Sequence, residues 1–296
     1  FKIDSPEKLV FKNTVAKNLS AMNSIDGSDL DFSIKDTASL IENTVSYLEQ
    51  IPCSNYPGFI RFGRTGATKS TITNFQHGTN YEIKFDDDGK RYAAPANDIP
   101  EIAETGYGTS ITKLPLLNIE NEVVHVDMPG SSDTDGPEAD ATRAIQAQKV
   151  SEKFDEIKGI ELVLPDADVY DGRYIAIRKT MREGGMIIAA NPEKLIKNIL
   201  ITITKPDKER LEQVKGDSFA YEQMILRELK KWYEKEISKL STSHQDYPIN
   251  YVLANLTSEN IILVDVTKPA DRIRYQARID DISTSLTREF DFKSHF

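Results

Sequence analysis

Hydrophobic positions recur at helical spacing over residues 5–51 and give way to short continuous runs after residue 58. Leu9, Val10, Val15 and Leu19 make one apolar set, and Ile41, Val45, Leu48 and Ile51 a second. Ser33 to Asp36 supplies capping residues for the second helix. The cluster Ser54-Asn55-Tyr56-Pro57-Gly58 breaks the pattern and marks a domain boundary. Beyond it, strands are predicted over 59–62, 113–119, 123–126, 160–164, 199–204, 251–254 and 261–264, with helices over 69–76, 138–157, 175–183 and 219–240. Strands separated by helices imply βαβ units, hence an α/β fold of three layers with a mainly parallel sheet flanked by helices. Segments 81–85 and 90–94 flank Asp86-Asp87-Asp88-Gly89, an Asp-Gly hairpin signal. The predicted organisation is an N-terminal helical segment over 1–56, an α/β domain over 57–265 and a C-terminal extension over 266–296.

Composition supports a packed domain. Of 296 residues, 39% are hydrophobic and 28% charged, so the chain can bury a sizeable core. Lys plus Arg total 37 against 47 Asp plus Glu, a formal charge of −10. That balance argues against nucleic acid or an anionic membrane surface as the main partner. No apolar run approaches the roughly 18 residues of a membrane-spanning helix. Cys53 is the single cysteine, which excludes an internal disulfide framework and fits a reducing, cytoplasmic setting. The start, Phe1-Lys2-Ile3-Asp4, has no initiator Met and no signal-peptide pattern, and reads as the start of an excised domain.

The most informative stretch is Phe59-Ile60-Arg61-Phe62-Gly63-Arg64-Thr65-Gly66-Ala67-Thr68-Lys69-Ser70-Thr71. An apolar strand enters a Gly-containing loop that ends in Lys-Ser and opens a helix. Backbone N–H groups and a helix N-terminus are then aimed at an anion, the layout that cradles phosphate. Lys69 is expected to bridge β- and γ-phosphates, with the Ser70 hydroxyl on Mg²⁺. The match to GxxxxGK[ST] lacks one glycine, because Thr68 stands at the second glycine position. A β-branched residue there crowds a backbone that must approach phosphate closely.

Further along, the strand Val123-Val124-His125-Val126 ends in Asp127-Met128-Pro129-Gly130. An Asp at the carboxyl end of a strand beside a phosphate loop holds the Mg²⁺ water shell, and the Gly130 N–H is placed to sense a γ-phosphate. The strand over 199–204 then ends in Thr204-Lys205-Pro206-Asp207. A carboxylate at Asp207 accepts from both N1–H and the 2-amino group of guanine, donors that adenine lacks, so it selects GTP over ATP. The Lys205 stem lies along base and ribose. Thr267-Lys268-Pro269-Ala270 repeats three of these letters without the carboxylate and is set aside.

With these motifs in order, residues 58–260 resemble the translation-factor-related class of P-loop GTPases. Within it they are most similar to the septin and immunity-associated (GIMAP-like) groups, and to the chloroplast import-receptor GTPases. The resemblance implies a guanine-nucleotide-binding (G) domain and GTP or GDP with Mg²⁺ as cofactors. It also implies homodimerisation across the nucleotide face and an effector protein as partners. It implies a Thr before the second strand that closes over Mg²⁺, for which Thr112 is the first choice and Thr109 the second. A loop after the last core strand stacks on the base, and Asn255 fills that position if 251–254 is that strand. Ser131 follows Gly130, where Ras-like enzymes carry a water-positioning glutamine, so slow turnover is expected. Arg64, inside the loop, is a candidate for stabilising transition-state charge.

The polar stretch between Ser70 and Asp127, with the hairpin around Asp88 as an insertion, and Ser131–Pro137 have the composition of switches ordered by γ-phosphate. His77, His125, His244 and His295 show no metal-ligand spacing, no GxSxG elbow is present, and Trp232 and Tyr233 read as packing residues. Two other readings remain open: a scaffold that has lost nucleotide through Thr68, and an ATP-dependent P-loop protein.

Overall fold

The structure, a computed structural model, describes residues 34–49, 56–89, 91–96, 99, 101–103, 114–130, 136–171, 177, 179–181, 196–237 and 252–285. Helix α1 (Ile34–Glu49) precedes β1 (Gly58–Phe62), α2 (Lys69–Gln76), β2 (Tyr81–Phe85) and β3 (Arg91–Pro95). There follow β4 (Leu116–Glu120), β5 (Val123–Asp127), α3 (Gly136–Lys153), β6 (Ile157–Pro165) and the short α4 (Asp166–Tyr170). The chain continues through β7 (Ile199–Thr204), α5 (Lys208–Gln213), α6 (Ser218–Ile237), β8 (Ile261–Val264) and α7 (Pro269–Ser285).

The central sheet has the order β4-β5-β1-β6-β7-β8. Every neighbouring pair in it is parallel except β4 with β5. Strands β1, β5, β7 and β8 are buried along their whole length, as a parallel sheet covered on both faces requires. One face packs its Ile60, Leu162 and Ile201 against α3 and α6 through Val150, Ile225 and Trp232, with Phe154 just after α3 in the same cluster. The other packs Phe59, Val163 and Ile262 against α2 and α7 through Ile72, Phe75, Tyr275 and Ile279. The architecture is therefore the expected three-layer α/β fold.

Helix α1 docks on the outside of α3, where Gln146 Nε2 donates to Thr44 Oγ1 at 3.0 Å. The hairpin β2–β3 forms a separate two-stranded sheet around Asp86–Gly89, as its Asp-Gly signal predicts. Strands β4 and β5 are joined through Asn121 and Glu122, at φ 49° and 63°. Two consecutive positive φ values are the mark of a type I′ hairpin turn.

Two expectations are corrected. Residues 252–255 form a helical turn, not a strand: Val252, Leu253 and Leu256 are buried at helical spacing, and a four-residue apolar run cannot distinguish the two periods. Residues 269–285 are not an extension beyond the domain. Helix α7 supplies Tyr275, Ile279 and Ile282 to the core, so the packed unit continues past residue 265.

A buried polar network lies within the α2/α7 side. Arg61 in β1 and Glu161 in β6 are register neighbours, each at most 1% exposed, with Nε donating to Oε2 at 2.6 Å. The guanidinium also donates to Thr73 Oγ1, to Gln76 Oε1 at 3.2 Å and to Tyr275 Oη at 2.7 Å. Tyr275 and Thr202 donate to the Glu161 carboxylate at 2.7 and 2.5 Å. Burial alone would lower the Arg61 pKa, but Glu161 and its other neighbours outweigh it and hold the pKa above its ordinary value.

His125, beside this network, has its ring 5.4 Å from that of Phe59. Burial, then the charges of Arg61 and His77, push its pKa from 6.5 down to about 3. The unfolded chain therefore binds a proton that the fold excludes. Stability is lost as pH falls below 6.5 towards 3, by up to about 1.4 kcal/mol per pH unit from this group. In urea titrations, the stability difference between wild type and His125→Gln is expected to shrink as pH drops from 7 to 5. A difference that stays constant would show that His125 does not carry this proton linkage.

Candidate functional site

Strand β1 delivers the chain to the carboxyl edge of the sheet, where Gly63 to Thr68 turn over into α2. Ala67 N–H donates to Arg64 O at 3.0 Å, closing a turn in which Gly66 takes φ 77°, a value glycine adopts at no steric cost. Thr68 sits at φ 69° and ψ 22°, so the loop keeps the left-handed conformation although a β-branched residue occupies the position. Its side chain donates to Ala67 O and makes no cap to the helix. The first helical bond runs from Ile72 N–H to Thr68 O, which leaves the N–H groups of Lys69, Ser70 and Thr71 outside the intrahelical ladder.

Lys69 is 7% exposed and folds back over the loop, its Nζ donating to Gly63 O at 2.8 Å and Arg64 O at 3.3 Å. Ser70 Oγ donates to Asp127 Oδ2 at 2.9 Å. Asp127 ends β5 opposite Arg61 of β1 and is 2% exposed. Its second oxygen, Oδ1, is buried with no hydrogen-bond partner among the described residues. Burial raises the Asp127 pKa, against the opposing pull of Lys69, Arg61 and Ser70. Gly130 closes on the loop: a Cβ there would lie 2.8 Å from Thr65 N, Cα and Oγ1, so no larger residue fits without moving the loop.

The third segment reaches the same edge from β7. Thr204 Oγ1 donates to Ala67 O at 3.2 Å, and Lys205, itself at φ 51°, extends Nζ to Gly66 O at 2.8 Å. Asp207 caps α5, with Oδ1 accepting from Arg210 N–H at 2.9 Å, and its side chain is 41% exposed.

The structure thus gathers Gly63, Arg64, Thr65, Gly66, Ala67, Thr68, Lys69, Ser70 and Thr71 with Asp127, Gly130, Thr204, Lys205 and Asp207. Asn255 is not among them. It lies before β8, whose preceding turn is tied through Asn260 to Ile196 and Ile199 at the amino-terminal end of β7. The loop that leaves the last strand at the site edge is instead Asp265–Lys268, where Asp265 Oδ1 accepts from Thr267 N–H and Oγ1. Thr109, Thr112 and residues 131–135 lie outside the described residues.

Arg64 is engaged by a residue the sequence reading did not single out. Its Nε and Nη2 donate to the two carboxylate oxygens of Asp168 at 2.6 and 2.8 Å, a bidentate pair. Asp166 and Asp168 directly follow the apolar run of β6. Two acidic residues at the carboxyl end of a central strand were the signal available for them.

No family model and no curated protein matches the sequence. Among solved structures, the chain is similar to the signal recognition particle receptor SRb-GTP/SRX complex from Chaetomium thermophilum. The two share 12% identity over 71% of this chain and 89% of that one, with a TM-score of 0.32.

Thr68→Gly is expected to stabilise the protein. Relief of the left-handed backbone is worth about 1–2 kcal/mol, and the greater freedom of glycine in the unfolded chain returns about 0.4–1 kcal/mol. A melting temperature higher by about 1–3 °C should result. A lower one would mean that the Thr68 side chain contributes more to the loop than its backbone costs.

Proposed function

We propose that the chain is a guanine-nucleotide-binding switch that hydrolyses GTP slowly with Mg²⁺ and controls assembly or the binding of a protein effector. The observation that carries this reading is the pair of ties from Thr204 and Lys205 to Ala67 O and Gly66 O. They join a base-reading carboxylate to a phosphate loop at a fixed spacing, which a nucleotide spans and a simple phosphate does not need.

In this reading loop N–H groups between Arg64 and Thr71, other than that of Ala67, surround the phosphates. Lys69 exchanges its carbonyl partners for phosphate oxygens, a charge-assisted bond in place of neutral ones. A hydroxyl at Ser70 and a buried carboxylate with an unpartnered oxygen at Asp127 suit a hard divalent cation, and Thr112 is proposed to join them. Bound there, Mg²⁺ would neutralise charge on the β- and γ-phosphate oxygens. Gly130 N–H is placed to register a γ-phosphate, and Asp207 selects guanine. The loop Asp265–Lys268 takes the base-flanking position that the sequence reading gave to Asn255.

Slow turnover follows from Ser131 in place of a glutamine and from the commitment of Arg64 to Asp168. The finer likeness to septin and immunity-associated proteins, and dimerisation across the nucleotide face, rest on the motifs. A second reading, a nucleotide-free scaffold, draws on Thr68 and on the satisfaction of Lys69 by loop carbonyls.

Calorimetric titration of GDP, GTP and ATP with Mg²⁺ decides between them. Guanine-selective binding is expected, weakened for every nucleotide by about 30-fold or more in Lys69→Ala. In Asp207→Ala the preference for guanine over adenine should disappear. Absence of binding by any nucleotide would favour the scaffold, and equal binding of ATP would remove the role given to Asp207. Light scattering should show a larger species with a non-hydrolysable GTP analogue than with GDP; a monomer in both states would exclude nucleotide-driven dimerisation.

A further inference from the structure

Behind Asp207, side chains from separate elements converge on a second carboxylate that the phosphate and base contacts do not use. Asp166, the first residue of α4, is 1% exposed. Its Oδ1 accepts from Tyr221 Oη at 2.8 Å, and its Oδ2 accepts from Arg210 Nη2. Tyr221, fully buried on α6, in turn accepts the backbone N–H of Asp207 at 3.1 Å through the same oxygen. The Arg210 guanidinium lies over the Tyr170 ring, 3.9 Å from its centroid.

Arg210 stands three residues after Asp207 on the first turn of α5, a spacing at which opposite charges pair. Its backbone N–H does bond Asp207 Oδ1, yet its guanidinium remains 3.9 Å from Asp207 Oδ2. Two acidic groups compete for one guanidinium, and the buried one holds it. A carboxylate removed from water gains more from a charged hydrogen bond than one that is 41% exposed. Asp207 Oδ2 therefore stays beyond hydrogen-bonding reach of the guanidinium on a side chain that is 41% exposed, while the Tyr221 hydroxyl bonds the main chain that carries it.

We infer that Asp166 and Tyr221 are positioning residues for base selection: Asp166 draws Arg210 away from Asp207, and Tyr221 anchors the Asp207 backbone, so that the Asp207 carboxylate is left to accept from N1–H and the 2-amino group of a guanine. This inference rests on the guanine-binding reading of the site. It adds that specificity is set by competition for a cation as well as by Asp207 itself.

The test measures GDP, IDP and ADP affinities of the full chain with Mg²⁺. IDP keeps N1–H and lacks the 2-amino group, so it reports the second of the two contacts. In Asp166→Asn the guanidinium loses its stronger partner and turns to Asp207, and the preference for GDP over ADP is expected to fall about tenfold. The GDP-over-IDP preference should fall with it. Adding Arg210→Gln removes the competing cation and should restore most of both preferences, an outcome that general loosening of the fold would not produce. Tyr221→Phe keeps the buried ring and tests the anchor separately, with an expected fall of about fivefold in GDP-over-ADP preference. If wild type prefers guanine but Asp166→Asn and Tyr221→Phe leave the preferences unchanged, the inference fails while the site reading stands. A fall in Asp166→Asn that Arg210→Gln does not reverse overturns the competition for Arg210. A wild-type chain without guanine preference overturns both.

Discussion

The ion pair between Arg61 and Glu161 is the constraint on which the geometry of the site edge depends. Both charges lie inside the α2/α7 side of the sheet, where removal from water costs several kcal/mol per ion unless every lone pair and proton is matched. The matching groups come from β7, α2 and α7: Thr202, Thr73, Gln76 and Tyr275. Arg61 lies one residue before the end of β1, and Thr73 and Gln76 lie on the helix that the Gly63–Thr68 loop opens. The same guanidinium therefore holds the strand entering the loop and the helix leaving it. Shifting α2 along the sheet would strand a buried charge, so the span of the loop between Phe62 and Lys69 is set from beneath.

On that base, the loop tolerates a residue that its local chemistry disfavours. Thr68 occupies a left-handed conformation that costs a β-branched residue about 1–2 kcal/mol. Its neighbours are fixed independently: Ala67 O accepts from Thr204, Gly66 O from Lys205, and Gly63 O from Lys69. With the carbonyls on the preceding turn already committed, the backbone at Thr68 has little room to relax elsewhere. Strain persisting where the surroundings over-determine the conformation is common at ligand sites, and here it falls at the residue nearest the helix N-terminus.

Charge at this edge is arranged in pairs that leave particular groups unclaimed. Asp168 takes Arg64 and Asp166 takes Arg210, while Asp127 shares one oxygen with Ser70 and keeps the other unpartnered among the described residues. Arg64 Nε and Nη2 thus both bond Asp168, and the Arg210 guanidinium bonds Asp166 while staying 3.9 Å from Asp207 Oδ2.

Much of this was legible from local pattern. The bounds of β7, β8 and α2 follow from apolar runs and from the Gly66-Ala67-Thr68-Lys69-Ser70 punctuation, because burial on both faces of a parallel strand leaves a continuous hydrophobic signature. Gly63 and Asp127 were legible because each directly follows such a run, and Asp207 because it lies three residues past the end of β7. The turn at 252–255 was not, since helix and strand periods coincide over four residues, and its misreading carried Asn255 to the wrong end of β8. Helix α7 was hidden because its outer face is strongly charged and only Tyr275, Ile279 and Ile282 mark the inner one. Sequence by itself therefore determined most of the strands and the Gly-containing loop that opens α2, since both are properties of neighbouring residues. Only the tertiary structure decided that Arg61 is a core residue, that Arg64 belongs to Asp168, and that Arg210 serves Asp166 instead of Asp207. Partners separated by tens of residues leave no local spacing to read, and which acid wins a shared cation depends on how deeply each is buried.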